Sequence, residues 1–195
     1  PLDCLATAIG QLNIKSLGFE ADTVIYSFYE DMTKKLSSIN IVPTRKVVEH
    51  LREIKTDEEI NCMKKASSIA DEAFMNTMKY LRPGVRESEI RAHLNYFIQT
   101  LGGFKESFEI IIASGPRGAM PHAKTSDEII KEGDLVIIDY GATYNGYCSD
   151  CTRTVLIGEA DERQMTVYNL VEKAQKAAMN AVGAGVECKE VDRVA

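Results

Sequence analysis

From residue 56 to residue 101, apolar side chains recur at helical steps. Ile60, Met63, Ala66 with Ser67, Ala70, Phe74 and Met78 fall on one face, as in an amphipathic helix packed on a core. Thr56-Asp57-Glu58-Glu59 precedes them as a capping box: the threonine hydroxyl accepts from the third amide and Glu59 reaches back to the Thr56 amide. Pro83-Gly84 ends this helix. A second opens near Glu87, with Ile90, Leu94, Phe97, Ile98 and Leu101 as its stripe and Gly102-Gly103 as its stop. Upstream, residues 1–53 read as mixed α/β material. Gly18-Phe19-Glu20 leads into Thr23-Val24-Ile25-Tyr26, a helix is predicted over 29–36, a strand over 39–42 ended by Pro43, and a charged helix over 44–54.

After Gly103 the period shortens. Residues 109–113 form a short β-run, followed by the Gly/Pro-rich loop Ser114-Gly115-Pro116-Arg117-Gly118-Ala119-Met120-Pro121-His122-Ala123. Residues 135–142 and 147–157 are predicted strands around Asn145-Gly146, the strongest short hairpin signal. A helix is predicted over 161–182, carrying Met165, Tyr168, Val171, Ala174 with Gln175, and Ala178; Gly183-Ala184-Gly185 breaks it and another begins near Lys189. The pattern places a domain boundary near Lys55 and an α+β fold after it.

The hairpin carries chemistry. If Asn145-Gly146 is a two-residue turn, Tyr144 pairs with Tyr147, Ala142 with Ser149 and Gly141 with Asp150. Asp139 lies two residues before Gly141, so it shares a face with Asp150. Diagonal Cβ atoms are roughly 7–8 Å apart, a gap that a hard cation between two carboxylates closes. Asp139 ends the apolar run Leu135-Val136-Ile137-Ile138, where an unpaired carboxylate is costly to bury. Compensation comes from a metal, from Arg153 or from solvent, and the hairpin alone leaves metal site and Asp–Arg pair equally open. His122 is the only histidine outside a helix-forming segment, in a loop of the kind that carries function. A hydrogen-bonded loop histidine is the plain alternative.

Composition trims the remaining readings. Hydrophobic residues at 45% and charged residues at 27% describe a globular chain with a packed core. The net charge is −6 with no Lys/Arg block, so nucleic acid is not an expected partner. No apolar run is long enough for a bilayer. Pro1-Leu2-Asp3-Cys4 does not read as a secretion signal, and without an initiator Met the chain is read as beginning inside a longer protein. Five irregularly spaced cysteines suit a reducing cytosol rather than a disulfide scaffold, so a cytoplasmic location is expected. Cys148 and Cys151 would point to opposite faces of a strand and cannot share one metal. Gly183-Ala184-Gly185-Val186 follows a helix, so a nucleotide loop is rejected. Arg117 is expected to be solvated.

Taken together, Ile112-Ala113-Ser114-Gly115-Pro116-Arg117, Met120-Pro121-His122, the stretch from Gly133 to Ala142 and the stretch from Asn145 to Thr154 resemble the Xaa-Pro aminopeptidase and prolidase family of pita-bread-fold metallopeptidases. The resemblance implies that residues 1–54 are the C-terminal part of a creatinase-like N-terminal domain, and residues 55–195 the first half of a pita-bread catalytic domain. It implies two divalent metal ions, Mn2+ first with Co2+ or Zn2+ as alternatives, held by two Asp, one His and two Glu. Asp139 matches the aspartate that chelates one metal, and Asp150 the one that bridges both. His122 matches a histidine that is not a ligand but contacts substrate. The other ligands lie further along in family members, so the 195-residue chain is expected to be inactive alone. The implied substrate is a peptide with proline at its second position, and a homodimer is the implied assembly. A non-catalytic peptide-binding module and a methionine aminopeptidase-like enzyme are the alternatives. Pro116-Arg117 and Pro121-His122 favour the proline branch.

Overall fold

The two central stripes become helices laid against a sheet. The structure, a computed structural model, describes residues 2–195. The chain divides into two compact units, one ending at Asp57 and the other spanning Glu58–Ala195.

The first unit holds α1 (Leu2–Gln11), β1 (Ser16–Glu20), α2 (Tyr26–Lys35), β2 (Asn40–Thr44) and α3 (Val47–Glu53). β1 and β2 pair in parallel, with α2 as their crossover. Ile9, Met32 and Leu36 are its buried core. Two details differ from the periodicity. Thr23 and Val24 turn back onto the Glu20 carbonyl, and α2 begins three residues before the predicted start. β2 runs through Pro43 instead of stopping there. Asn40 donates to Lys15 and Thr44 accepts from Ala21, so alternate residues serve the ladder and proline, between two of them, forfeits no bond.

In the second unit, α4 (Asp57–Thr77) and α5 (Glu87–Thr100) cover one face of the strands. Ile90, Leu94 and Ile98 of α5 are fully buried, each contributing roughly 1.5–3 kcal/mol. Along α4 the predicted stripe holds at Ala66, Ala70, Phe74 and Met78, with Ile69, Ala73 and Thr77 buried beside it, whereas Ile60 and Met63 are exposed. Small side chains let the helix approach closely. At α6 (Glu162–Ala181), Asp161 accepts from the Gln164 amide at 2.7 Å and Gln164 accepts from the Asp161 amide at 3.0 Å. No residue of α6 is buried, and α7 (Cys188–Val194) follows.

The strands are β3 (Lys105–Glu106), β4 (Ile111–Ser114), β5 (Leu135–Tyr140), β6 (Ala142–Tyr144), β7 (Tyr147–Cys148) and β8 (Cys151–Leu156). They form two three-stranded antiparallel sheets, β3-β6-β7 and β4-β5-β8. Both predicted hairpin strands are therefore broken, one at Gly141 and the other at Ser149 and Asp150. The turn is as expected, with Asn145 at φ +47° and Gly146 at φ +82°. Tyr144 faces Tyr147, Thr143 faces Cys148, Tyr140 faces Cys151 and Asp139 faces Thr152. The register thus keeps step across the break, and the hairpin bends without inserting a residue.

Candidate metal centre

Alternation along β5 sorts its side chains. Val136, Ile138 and Tyr140 are fully buried, and Tyr140 stacks on Phe74 of α4 at 5.5 Å. Leu135, Ile137 and Asp139 occupy the other, half-exposed face. On β8, Arg153 faces Ile138 and reaches Asp71 of α4 at 3.7 Å. It therefore lies on the helix side and does not pair with Asp139. Of the three compensations named for Asp139, the pair with Arg153 is absent, which leaves a metal or solvent. Thr152 Oγ donates to Asp139 Oδ1 at 2.8 Å instead.

The break sets Asp150. Ser149 is buried; its hydroxyl donates to the Ala66 carbonyl of α4 at 3.2 Å and accepts from the Ala142 amide at 3.0 Å. Cys151 packs against the core. With the residues on either side turned toward the helices, Asp150 projects to the face that carries Thr152 and Asp139, and it is exposed. Among the described residues, no Lys, Arg or His pairs with Asp139 or Asp150.

Gly141 makes the bend. A Cβ there would stand 2.0 Å from the Ser149 carbonyl oxygen and 2.2 Å from Ser107 Oγ. Ser107 fastens both sides, its amide donating to the Gly141 carbonyl at 3.1 Å and its hydroxyl to the Ser149 carbonyl at 2.7 Å.

His122 is exposed, in the loop after a 3-10 helix, Gly115–Ala119. That helix lies across the outer face of β5: a Cβ on Gly118 would be 3.2 Å from Ile137 Cγ1. The loop carrying His122 and the strand carrying Asp139 thus meet on one face, although no hydrogen bond or ion pair joins His122 to either aspartate. Arg117 is not the solvated loop arginine expected. Its Nε lies 3.3 Å from Glu87 Oε1, and its Nη2 donates to the Lys124 carbonyl.

Glu87 escaped the sequence reading. An acid in the first turn of a helix normally signals nothing more than a favourable, solvated position, yet this one is fully buried. Its carboxylate accepts from the amides and hydroxyls of Ser114 and Ser126 and from Arg117. Burial, the largest single influence, raises its pKa, but the Ser114 and Ser126 donors together outweigh it and the net direction is down from 4.5. The carboxylate's stabilisation is then complete above pH 4.5 and lost as pH falls through the lower folded value. Acid titration of unfolding free energy is expected to decline more steeply for the native chain than for Glu87→Gln; equal slopes would contradict this.

Two carboxylates on one face, with no cation paired to them among the described residues, offer the hard oxygen donors that a divalent ion takes. They fit as part of a ligand set: among the described residues, no three His, Cys, Asp or Glu side chains form a group that could hold a metal.

A mixed α+β unit carries this bent hairpin, and a small parallel βαβ unit precedes it in the chain. The sequence profile of metallopeptidase family M24 matches residues 61–195, that of the Creatinase/Prolidase N-terminal domain matches residues 2–54, and the chain belongs to family M24. Among its relatives, a Pyrococcus furiosus Xaa-Pro dipeptidase is 42% identical over 183 residues, covering 94% of this chain and 52% of that protein. An Xaa-Pro dipeptidase from Bacillus anthracis superposes with a TM-score of 0.94 at 42% identity, over 99% of this chain and 54% of the other. An X-Pro aminopeptidase from Thermotoga maritima gives 0.94 at 35% identity, again over 99% and 54%. The fold is thus the pita-bread fold, and the chain spans about half the length of these relatives. No described helix is long and apolar enough to cross a membrane.

Proposed function

We propose that this chain is a segment of a metal-dependent exopeptidase that hydrolyses the bond between an N-terminal residue and proline. The observation that carries this is the pair Asp139 and Asp150, on one outward face of an M24 hairpin with no cationic side chain paired to them among the described residues. Asp139 would chelate one divalent ion and Asp150 would bridge two, with Mn2+ the first candidate. Bound there, the ions would supply activation of water and polarisation of the scissile carbonyl. Thr152 holds Asp139 by its Oδ1, leaving the second oxygen free to coordinate. His122, on the loop above this face, contacts substrate and steadies the charge that develops on the carbonyl oxygen. The match of residues 2–54 to a Creatinase/Prolidase N-terminal domain favours the proline branch over a methionine aminopeptidase. A cytoplasmic homodimer belongs to the same reading.

The test is an assay of the longer parent on Xaa-Pro and Met-Ala peptides, with chelator and with Mn2+ restored. Xaa-Pro cleavage that chelator abolishes and Mn2+ restores is expected; cleavage of Met-Ala alone would overturn the substrate assignment. The 195-residue chain by itself is expected to bind Mn2+ weakly and to show no turnover. Robust hydrolysis by it would refute the view that its ligand set is partial.

A further inference from the structure

We propose that Glu87 is a positioning residue for His122, clasping both ends of the loop that carries it. The two carboxylate oxygens divide the work. Oε1 accepts from the Ser114 amide at 2.8 Å, the Ser114 hydroxyl at 2.9 Å and Arg117 Nε at 3.3 Å. Oε2 accepts from the Ser126 amide at 3.0 Å and the Ser126 hydroxyl at 2.8 Å. Ser114 is the last residue of β4 and Ser126 lies past the loop, so each oxygen grips one end. Arg117, held by Oε1, ties the 3-10 helix to the Lys124 carbonyl across the loop.

The choice of residue is informative. A buried carboxylate is costly unless fully hydrogen-bonded, and only a carboxylate accepts at both oxygens while donating from neither. A glutamine would turn an NH2 toward one of the two serine amides, donor against donor. Around Ser126 the chain is already attached without the carboxylate, because Thr125 Oγ bonds both the Ile112 amide and the Ile110 carbonyl, and the Glu87 and Ser88 amides donate to the Glu128 and Ser126 carbonyls. Glu87 is therefore not needed merely to attach that segment. It fixes the separation of the two ends, and His122, exposed and with no side-chain hydrogen bond among the described residues, takes its position from them.

The inference rests on the proposed contact of His122 with substrate, and the experiment separates the two. In the longer parent, Glu87→Gln, His122→Ala and the double variant are compared for kcat, KM and bound Mn2+, with hydrogen exchange of the loop followed alongside. Expected are at least a tenfold lower kcat for Glu87→Gln at unchanged metal content, and less than a twofold further loss when His122→Ala is added. Faster exchange across residues 115–125, with α5 still protected, is expected too. A kcat within twofold of the native enzyme, or losses that multiply in the double variant, would overturn the clasp. If His122→Ala alone has no effect, the role of His122 in the proposed function falls, and exchange decides the clasp: unchanged loop protection in Glu87→Gln rejects it. Should Glu87→Gln fail to fold, Ser126→Ala, which removes one donor, answers the same questions, with a two- to fivefold loss of kcat expected and an additive loss counting against the clasp.

Discussion

Asp150→Ala in the longer parent is expected to abolish chelator-sensitive Xaa-Pro cleavage, a loss of about 10³-fold or more, or roughly 4 kcal/mol of transition-state stabilisation. The same substitution is expected to leave folding almost untouched. Asp150 is exposed and its side chain makes no hydrogen bond or ion pair among the described residues, and surface changes of that kind usually fall within about 0.5 kcal/mol. Removing one of two unneutralised carboxylates from a shared face can even stabilise the protein slightly. The decisive measurements are turnover and urea unfolding on the same preparation. Retained turnover would remove the metal assignment. A large loss of stability would show that Asp150 serves the fold, so that lost activity carried no information about ligation.

Gly141→Ala is expected to do the reverse and damage the fold first. The added methyl would meet the Ser149 carbonyl at 2.0 Å and Ser107 Oγ at 2.2 Å. Ser107 can rotate, but the carbonyl is backbone and cannot yield without opening the hairpin. Opening it breaks the 2.9 Å bond from the Ser149 amide to the Ala142 carbonyl and both bonds from Ser107. Overpacking commonly costs about 1–3 kcal/mol, and with these bonds lost about 3 kcal/mol or more is expected from the shift of the urea midpoint. Asp150 sits on the yielding strand, so Mn2+ affinity in the parent should fall as well. A midpoint within 1 kcal/mol of native (about fivefold in the folding equilibrium) would mean that the bend does not depend on glycine.

These two variants mark where sequence reading succeeds and where it stops. The turn at Asn145-Gly146 set the register, which is the one observed from Tyr144–Tyr147 to Asp139–Thr152, and alternation from it is what argues for Asp139 and Asp150 on one side. The pattern did not reveal that the hairpin bends between them, because Gly141 reads as an ordinary glycine until Ser107, 34 positions earlier, arrives beside it. Glu87 was hidden for the same reason. An acid at a helix start is favoured whether solvated or buried, and only the folded approach of Ser114 and Ser126 reveals which. Arg153 misled in a different way: its proximity in sequence suggested a partner for Asp139, whereas its place on the opposite face gives it Asp71. On α4 the predicted stripe holds from Ala66 onward, with Ala66 and Ala70 buried and Phe74 and Met78 packed on the core, and fails only at Ile60 and Met63, before the helix reaches the sheet-facing core.

The division of the β5 and β8 hairpin into two faces has an evolutionary consequence. The helix side holds the packing, through Val136, Ile138 and Tyr140, and is intolerant of change. On the other side Ile137 packs under the 3-10 helix, but Asp139 and Asp150 contribute little to packing, so mutation at those two positions is free to drift without unfolding the protein. A lineage built on this scaffold can lose its hydrolytic chemistry, or acquire another, by substitutions confined to one surface while inheriting the ancestral fold intact.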